Sequence, residues 1–95
     1  MTHTDQQQML IHTLETWNHA TDIQRLRVKK QLMPEDDVDT LFFKVTTHPH
    51  WDDVANCAVM WFCEIEVYDA NKLVCTIIVE TRPFDIIYHW HVGIL

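Results

Sequence analysis

His48-x-His50 and His89-x-His91 are the arrangements in this sequence that come closest to a chemical site. In a strand, residues two apart share a face, so each pair could turn two imidazoles toward one metal ion. A closed site needs more ligands, and Asp52, Asp53, Cys57 and Glu66 are the donors to consider. Nothing in the sequence brings the two pairs together, and Pro49 interrupts the first. The plainer reading is surface histidines, and no metal or other cofactor is expected.

A second arrangement joins carboxylates to the same imidazoles. If residues 58–92 form three antiparallel strands, Glu66, Thr76 and His91 share one row and Glu64, Ile78 and His89 the next. Neighbouring strands lie about 4.8 Å apart, so a glutamate could reach a histidine two strands away across the small Thr76. Carboxylate and imidazole facing one surface are equipment for proton transfer. They are also ordinary furniture of a solvated sheet. With Met60, Phe62, Tyr68 and Ile78 beside them, the face is mixed apolar and acidic, which suits partner binding better than chemistry. Cys57 near His48 or His50 could form a thiol–imidazole pair, but a thiol at a strand end is more often a small buried hydrophobe. Trp51 falls on no apolar stripe and is a candidate binding anchor.

Charge adds two more features. Arg25, Arg27, Lys29 and Lys30 gather four of the seven basic residues inside six positions, a footprint seen in nucleic-acid binders. Glu35, Asp36, Asp37 and Asp39 follow at once, so the plainer reading is a solvated helix face answered by an acidic loop. The net charge of −7 makes the body a poor nucleic-acid ligand and a fair one for basic protein surfaces.

The elements that must position these residues are legible from periodicity. Val59, Trp61, Cys63, Ile65 and Val67 alternate with Glu64, Glu66 and Tyr68, which is a strand with one buried face. Leu73, Cys75, Ile77 and Val79 repeat the pattern against Thr76 and Glu80. A three-residue loop, Ala70 to Lys72, sets Asp69 opposite Leu73 and aligns Val67 with Cys75, Ile65 with Ile77 and Cys63 with Val79. A register one residue away would oppose core to surface all along the hairpin. After Arg82-Pro83 the apolar set becomes Phe84, Ile86, Tyr88, Trp90 and Val92. A two-residue turn at Pro83-Phe84 aligns Arg82 with Asp85, Val79 with Tyr88, Ile77 with Trp90 and Cys75 with Val92.

Ahead of this unit, Thr4 with Gln7 reads as a capping box opening a helix to about residue 19, with Leu10, Leu14 and Trp17 on one stripe. Thr21 with Gln24 could cap a second helix that Pro34 stops, although Leu26, Val28 and Leu32 also alternate as a strand would. Residues 34–39 read as a loop. Leu41, Phe43 and Val45 make a fourth strand that His48-Pro49-His50 ends, and Trp51 to Asn56 reads as a connection in which a helical turn could start at Asp52.

Composition bounds the class. Ninety-five residues make one domain, 1–95, burying roughly 60–65% of its unfolded surface, and 47% apolar residues can supply that. There is no serine, which excludes serine nucleophiles. The single glycine, Gly93, rules out Gly-rich phosphate loops and dinucleotide fingerprints. Three cysteines, no signal-like opening in MTHTDQQQ and no long apolar run lead us to expect a cytoplasmic protein with reduced thiols and no membrane contact.

The expected fold is α+β: an N-terminal helix or helical pair on one face of a four-stranded, largely antiparallel sheet. The expected function is that of a small, acidic, non-enzymatic protein-binding module of the inhibitor, immunity, anti-defence or chaperone type. Its partner would be a protein with a basic surface, and an uncovered strand edge would invite a homodimer. The contact residues expected are Glu35, Asp36, Asp37, Asp39, Trp51, Asp52, Asp53, Glu64, Glu66 and His91. The alternatives are an acid–base or metal-dependent enzyme on the His/Glu face, and a nucleic-acid binder through Arg25 to Lys30.

Overall fold

A computed structural model describes residues 4–52, 57–82 and 85–92, with side chains for 4–48, 62–81 and 86–89. The chain runs α1 (Asp5–Glu15), a 3-10 turn (Trp17–His19), α2 (Asp22–Leu32), a second 3-10 turn (Val38–Thr40), then β1 (Leu41–Asp52), β2 (Cys57–Asp69), β3 (Lys72–Arg82) and β4 (Asp85–Val92). The strands form one antiparallel meander in the order β1-β2-β3-β4. Two helices cover one face of it, which is the expected α+β arrangement with the helical pair rather than a single helix. Among the described residues no helix is long and apolar enough to cross a membrane.

Both helices start on reciprocal caps. Gln7 N donates to Thr4 Oγ1 at 3.1 Å while Thr4 N donates to Gln7 Oε1 at 3.0 Å. Thr21 and Gln24 repeat the box at 3.1 and 2.9 Å. Each box satisfies two N–H groups that a helix start would leave open, and a cap of this kind stabilises by about 1 kcal/mol. The second box resolves the helix-or-strand ambiguity of residues 20–33 in favour of a helix.

The core joins Leu10, Leu14 and Trp17 to Val28 and Leu32 of α2, Val38 of the loop, and Phe43, Cys63, Ile65, Val67, Cys75, Ile77 and Val79 of the sheet. Trp17 stacks on Phe43 with ring centroids 5.9 Å apart. Arg25 lies 5.4 Å from the Trp17 ring and donates through Nε to the Trp17 carbonyl at 2.9 Å. Lys29 lies 5.7 Å from the Phe43 ring and donates through Nζ to the Leu41 carbonyl at 2.6 Å. Two of the four clustered cations therefore brace the joint between helices and sheet.

The registers of β2 with β3 and of β3 with β4 are those expected, with Ile65 opposite Ile77, Ile77 opposite Trp90 and Arg82 opposite Asp85. The β2–β3 connection differs. Asp69 pairs with Lys72 across the two residues Ala70 and Asn71, and the register shifts between Val67 and Tyr68. The short turn alone would put the strands out of phase, and Val74 is the extra residue that restores it, as a bulge does. The left-handed position of this turn is Ala70, with φ 56.

β1 also departs from expectation. It continues through His48-Pro49-His50 to Asp52, and its pairing with β2 shifts only between His50 and Trp51. Proline is tolerated because β1 is an edge strand, where a missing N–H need break no ladder bond. Trp51 and Asp52 consequently lie in a strand, and residues 53–56 of the expected connection lie outside the described residues. On the inward face Ile86 is buried, while Tyr88 is 37% exposed, because the helices lie over β1 and leave the far edge of β4 less covered.

Alanine at φ 56 carries the strain of a left-handed residue with a Cβ, about 1 kcal/mol or more. Ala70→Gly should relieve it, with a small entropic offset, and raise the urea midpoint at unchanged slope; a lowered midpoint would contradict the turn geometry.

Candidate functional site

The helices take the side of the sheet that carries Phe43, Ile65 and Ile77, and alternation sends the intervening residues to the other side. That second face carries Phe42, Lys44, Thr46 and His48 from β1, Phe62, Glu64, Glu66 and Tyr68 from β2, Thr76, Ile78 and Glu80 from β3, and Ile87 and His89 from β4. The rows Glu66–Thr76–His91 and Glu64–Ile78–His89 are as the sequence implied.

Their ion pairing is not. Glu66 Oε1 lies 3.7 Å from Lys44 Nζ, and Glu64 Oε1 lies 3.6 Å from His48 Nε2, both across β1 and β2. His89 Nε2 lies 3.1 Å from Glu80 Oε2, on adjacent strands β4 and β3. Each carboxylate turns to a neighbouring strand, because a partner two strands away lies about 10 Å off. These contacts sit at the surface, where ion pairs contribute little stability. The His48 ring also stacks on Phe62, centroids 4.7 Å apart, which shuts Nε2 away from solvent while the side chain as a whole stays partly exposed.

His48 and His89 belong to opposite edges of the sheet, three strand spacings or about 14 Å apart. Among the described residues no group of three or more His, Cys, Asp or Glu side chains converges in a way that could hold a metal ion. The side chains of His50, Cys57 and His91 lie outside those described. The described face alternates carboxylates with cations and carries aromatic rings between them.

Among the described residues, a shaped part of this face lies at its end near the β2–β3 turn. Phe42 and Tyr68 meet with centroids 6.5 Å apart, and with Lys44, Ala70 and Asn71 they line a depression of about 390 Å³. Phe42 is 63% exposed, which is unusual for a phenylalanine in a sheet. Sequence reasoning missed it, although its alternation with Phe43 assigns it to the outer face.

The other expected contact residues are scattered. Glu35, Asp36, Asp37 and Asp39 are exposed in the connection before β1. That connection is held down by Val38, which is fully buried, and by Asp37 Oδ1 accepting from Asp39 N at 3.4 Å. Asp39, with Asp22, also faces Lys29, whose pKa is lowered chiefly by burial and then by Arg25, with these two carboxylates opposing the shift. Trp51 and Asp52 lie at the far end of β1, roughly 33 Å from Leu41 along the strand. Acidic loop and tryptophan therefore do not form one surface. Asp53 lies outside the described residues, as do the side chains of Trp51, Asp52 and His91.

Compared with family models, curated proteins and solved structures, the chain finds no match.

Cys63 and Cys75 are free and buried, and they pair with Val79 and Val67 rather than with each other. Burial first, and Glu64 second, push the Cys63 thiol up to about 12. Burial and then Asp36 raise Cys75. Site-resolved labelling should find Cys63 inert to iodoacetamide in the folded protein and reactive in urea. A raised thiol pKa means the fold keeps a proton that the unfolded chain releases. Stability should therefore fall as pH climbs from the usual thiol range toward about 12. Rapid native labelling of Cys63 would contradict both.

Proposed function

We propose that this chain is a small non-enzymatic protein-binding module that works through the helix-free face of its sheet. The observation that carries the reading is Phe42, 63% exposed and paired with Tyr68 beside a depression, on a face that also carries Lys44, Glu64, Glu66 and Glu80. Aromatic side chains in such positions act as anchors, and charged neighbours set register and discriminate between partners. The depression also supplies what a flat sheet lacks, a concavity for a partner's protruding side chain. An inhibitor, immunity or chaperone protein of this size needs one such surface and no catalytic group.

The partner chemistry follows from charge. Glu64, Glu66 and Glu80 outnumber Lys44 on the face, and the whole chain carries −7. A basic protein surface with an apolar projection is the complement. Long-range attraction speeds the encounter and the aromatic depression holds it, so association should slow with added salt more than dissociation hastens. The acidic loop Glu35–Asp39 extends the same negative field and need not touch the partner.

Partner retention on purification from the chain's own cells tests this, with Ile23 as a matched control. Ile23 is 66% exposed, but it lies on α2 in the helical layer. Phe42→Asp with Tyr68→Asp should lose the partner, each anchor contributing about 2 kcal/mol or roughly thirtyfold in Kd, while Ile23→Asp keeps it. Retention by the double variant, with an unchanged melting temperature, would sink the proposal.

A further inference from the structure

The basic cluster of α2 divides in two. Arg25 and Lys29 turn inward to Trp17, Phe43 and backbone carbonyls. Arg27 and Lys30 are exposed, and among the described residues neither forms an ion pair. Both instead border a groove of about 450 Å³ that runs between α1 and α2.

Each helix presents one stripe to this groove at positions i, i+3, i+4 and i+7. On α1 the stripe is Gln6, Met9, Leu10 and Thr13; on α2 it is Gln24, Arg27, Val28 and Gln31. Leu10, Thr13 and Val28 are buried and form the floor. Met9 is 48% exposed on one bank, an unbranched and polarizable side chain suited to an adaptable contact. Arg27 and Lys30 stand on the other bank. A chain of net charge −7 thus holds, beside an apolar trough, two cations that form no ion pair among the described residues, on the layer away from the acidic sheet face.

We infer that the α1–α2 groove is a second docking site, and that its occupant is an acidic amphipathic helical segment of another protein. The trough takes apolar side chains at i, i+4 and i+7, and Arg27 and Lys30 take carboxylates on the flank of the same helix. The three glutamines satisfy polar groups along the rim. Helices α1 and α2, eleven residues each, offer about 16 Å of groove, enough for roughly three turns of the incoming helix. Two cations are too few to hold a nucleic-acid backbone against the surrounding negative charge. The site stands apart from the sheet face, and neither proposal depends on the other.

Two synthetic peptides of about 14 residues, roughly 21 Å as helices, provide the test. Both carry Leu at i, i+4 and i+7; one has Glu at the flanking positions and the other Lys. Fluorescence anisotropy should show the Glu peptide binding the wild-type chain about tenfold or more tighter than the Lys peptide. In the R27E/K30E variant the order should reverse, and Met9→Glu should weaken the Glu peptide without restoring the Lys one. Phe42→Asp should leave Glu-peptide binding unchanged. Amide shifts on titration of the wild-type chain should concentrate at Met9, Thr13 and Val28, which reads the site without any variant. Equal affinity for the two peptides, an unchanged preference in R27E/K30E, or capture of a thymidine oligonucleotide in preference to the Glu peptide would each overturn the inference.

Discussion

The stack of Trp17 on Phe43 decides which side of the sheet is inside. Phe43 faces the helices, so Phe42 and Lys44 must face away, since side chains alternate along a strand. Register then passes that choice from β1 to Val67 and Cys75, row by row across the sheet. The aromatic pair contributes about 0.5–1.5 kcal/mol beyond its burial. Arg25 and Lys29 hold it from the helical side by lying over the two rings and binding nearby carbonyls. Cations at this joint cost some desolvation, visible in the lowered pKa of Lys29. They recover it by satisfying the Trp17 and Leu41 carbonyls.

Two short helices can cover one side of a four-stranded sheet and no more. The second side must be stable in water or find a partner. Here carboxylates and cations pair across adjacent strands, while Phe42, Tyr68 and Phe62 remain as apolar material between them. The edges are managed in the same economical way. β1 carries Pro49 and Lys44, features that blunt unwanted pairing of an edge with other chains. The helical layer has its own incomplete seam in the α1–α2 groove. The two proposed docking surfaces thus lie on opposite layers of the fold.

Much of the fold was legible because it rests on period-two alternation, which survives without knowledge of tertiary contacts. The rows Ile65–Ile77–Trp90 and Cys63–Val79–Tyr88 follow from phase alone, and the two Thr–Gln capping boxes follow from local spacing. Other features were not legible. The phase between β2 and β3 could be met by a longer loop or by a short turn with a bulge, and the sequence alone does not separate them. Pro49 reads as a strand end unless β1 is known to be an edge. The partners of Glu64 and Glu66 lie on β1, outside the three-strand unit, while His89 takes Glu80 from the adjacent β3 rather than a glutamate two strands away. Phe42 was hidden for a different reason: beside Phe43 and Leu41 it looks like core, and only strand parity exposes it. The division of the Arg25–Lys30 cluster is purely tertiary, since it depends on Trp17 and Phe43 arriving from elsewhere.

The claim that most needs direct contact evidence is that the sheet face touches a protein. A photo-crosslinking benzoylphenylalanine placed at position 42, and separately at position 23, reports contact in intact cells without weakening the interface first. The account predicts a discrete adduct of one additional protein from position 42, rich in basic residues at the linked segment, and none of the same mass from position 23. An adduct from position 23 alone, or the same adduct from both positions, would contradict it.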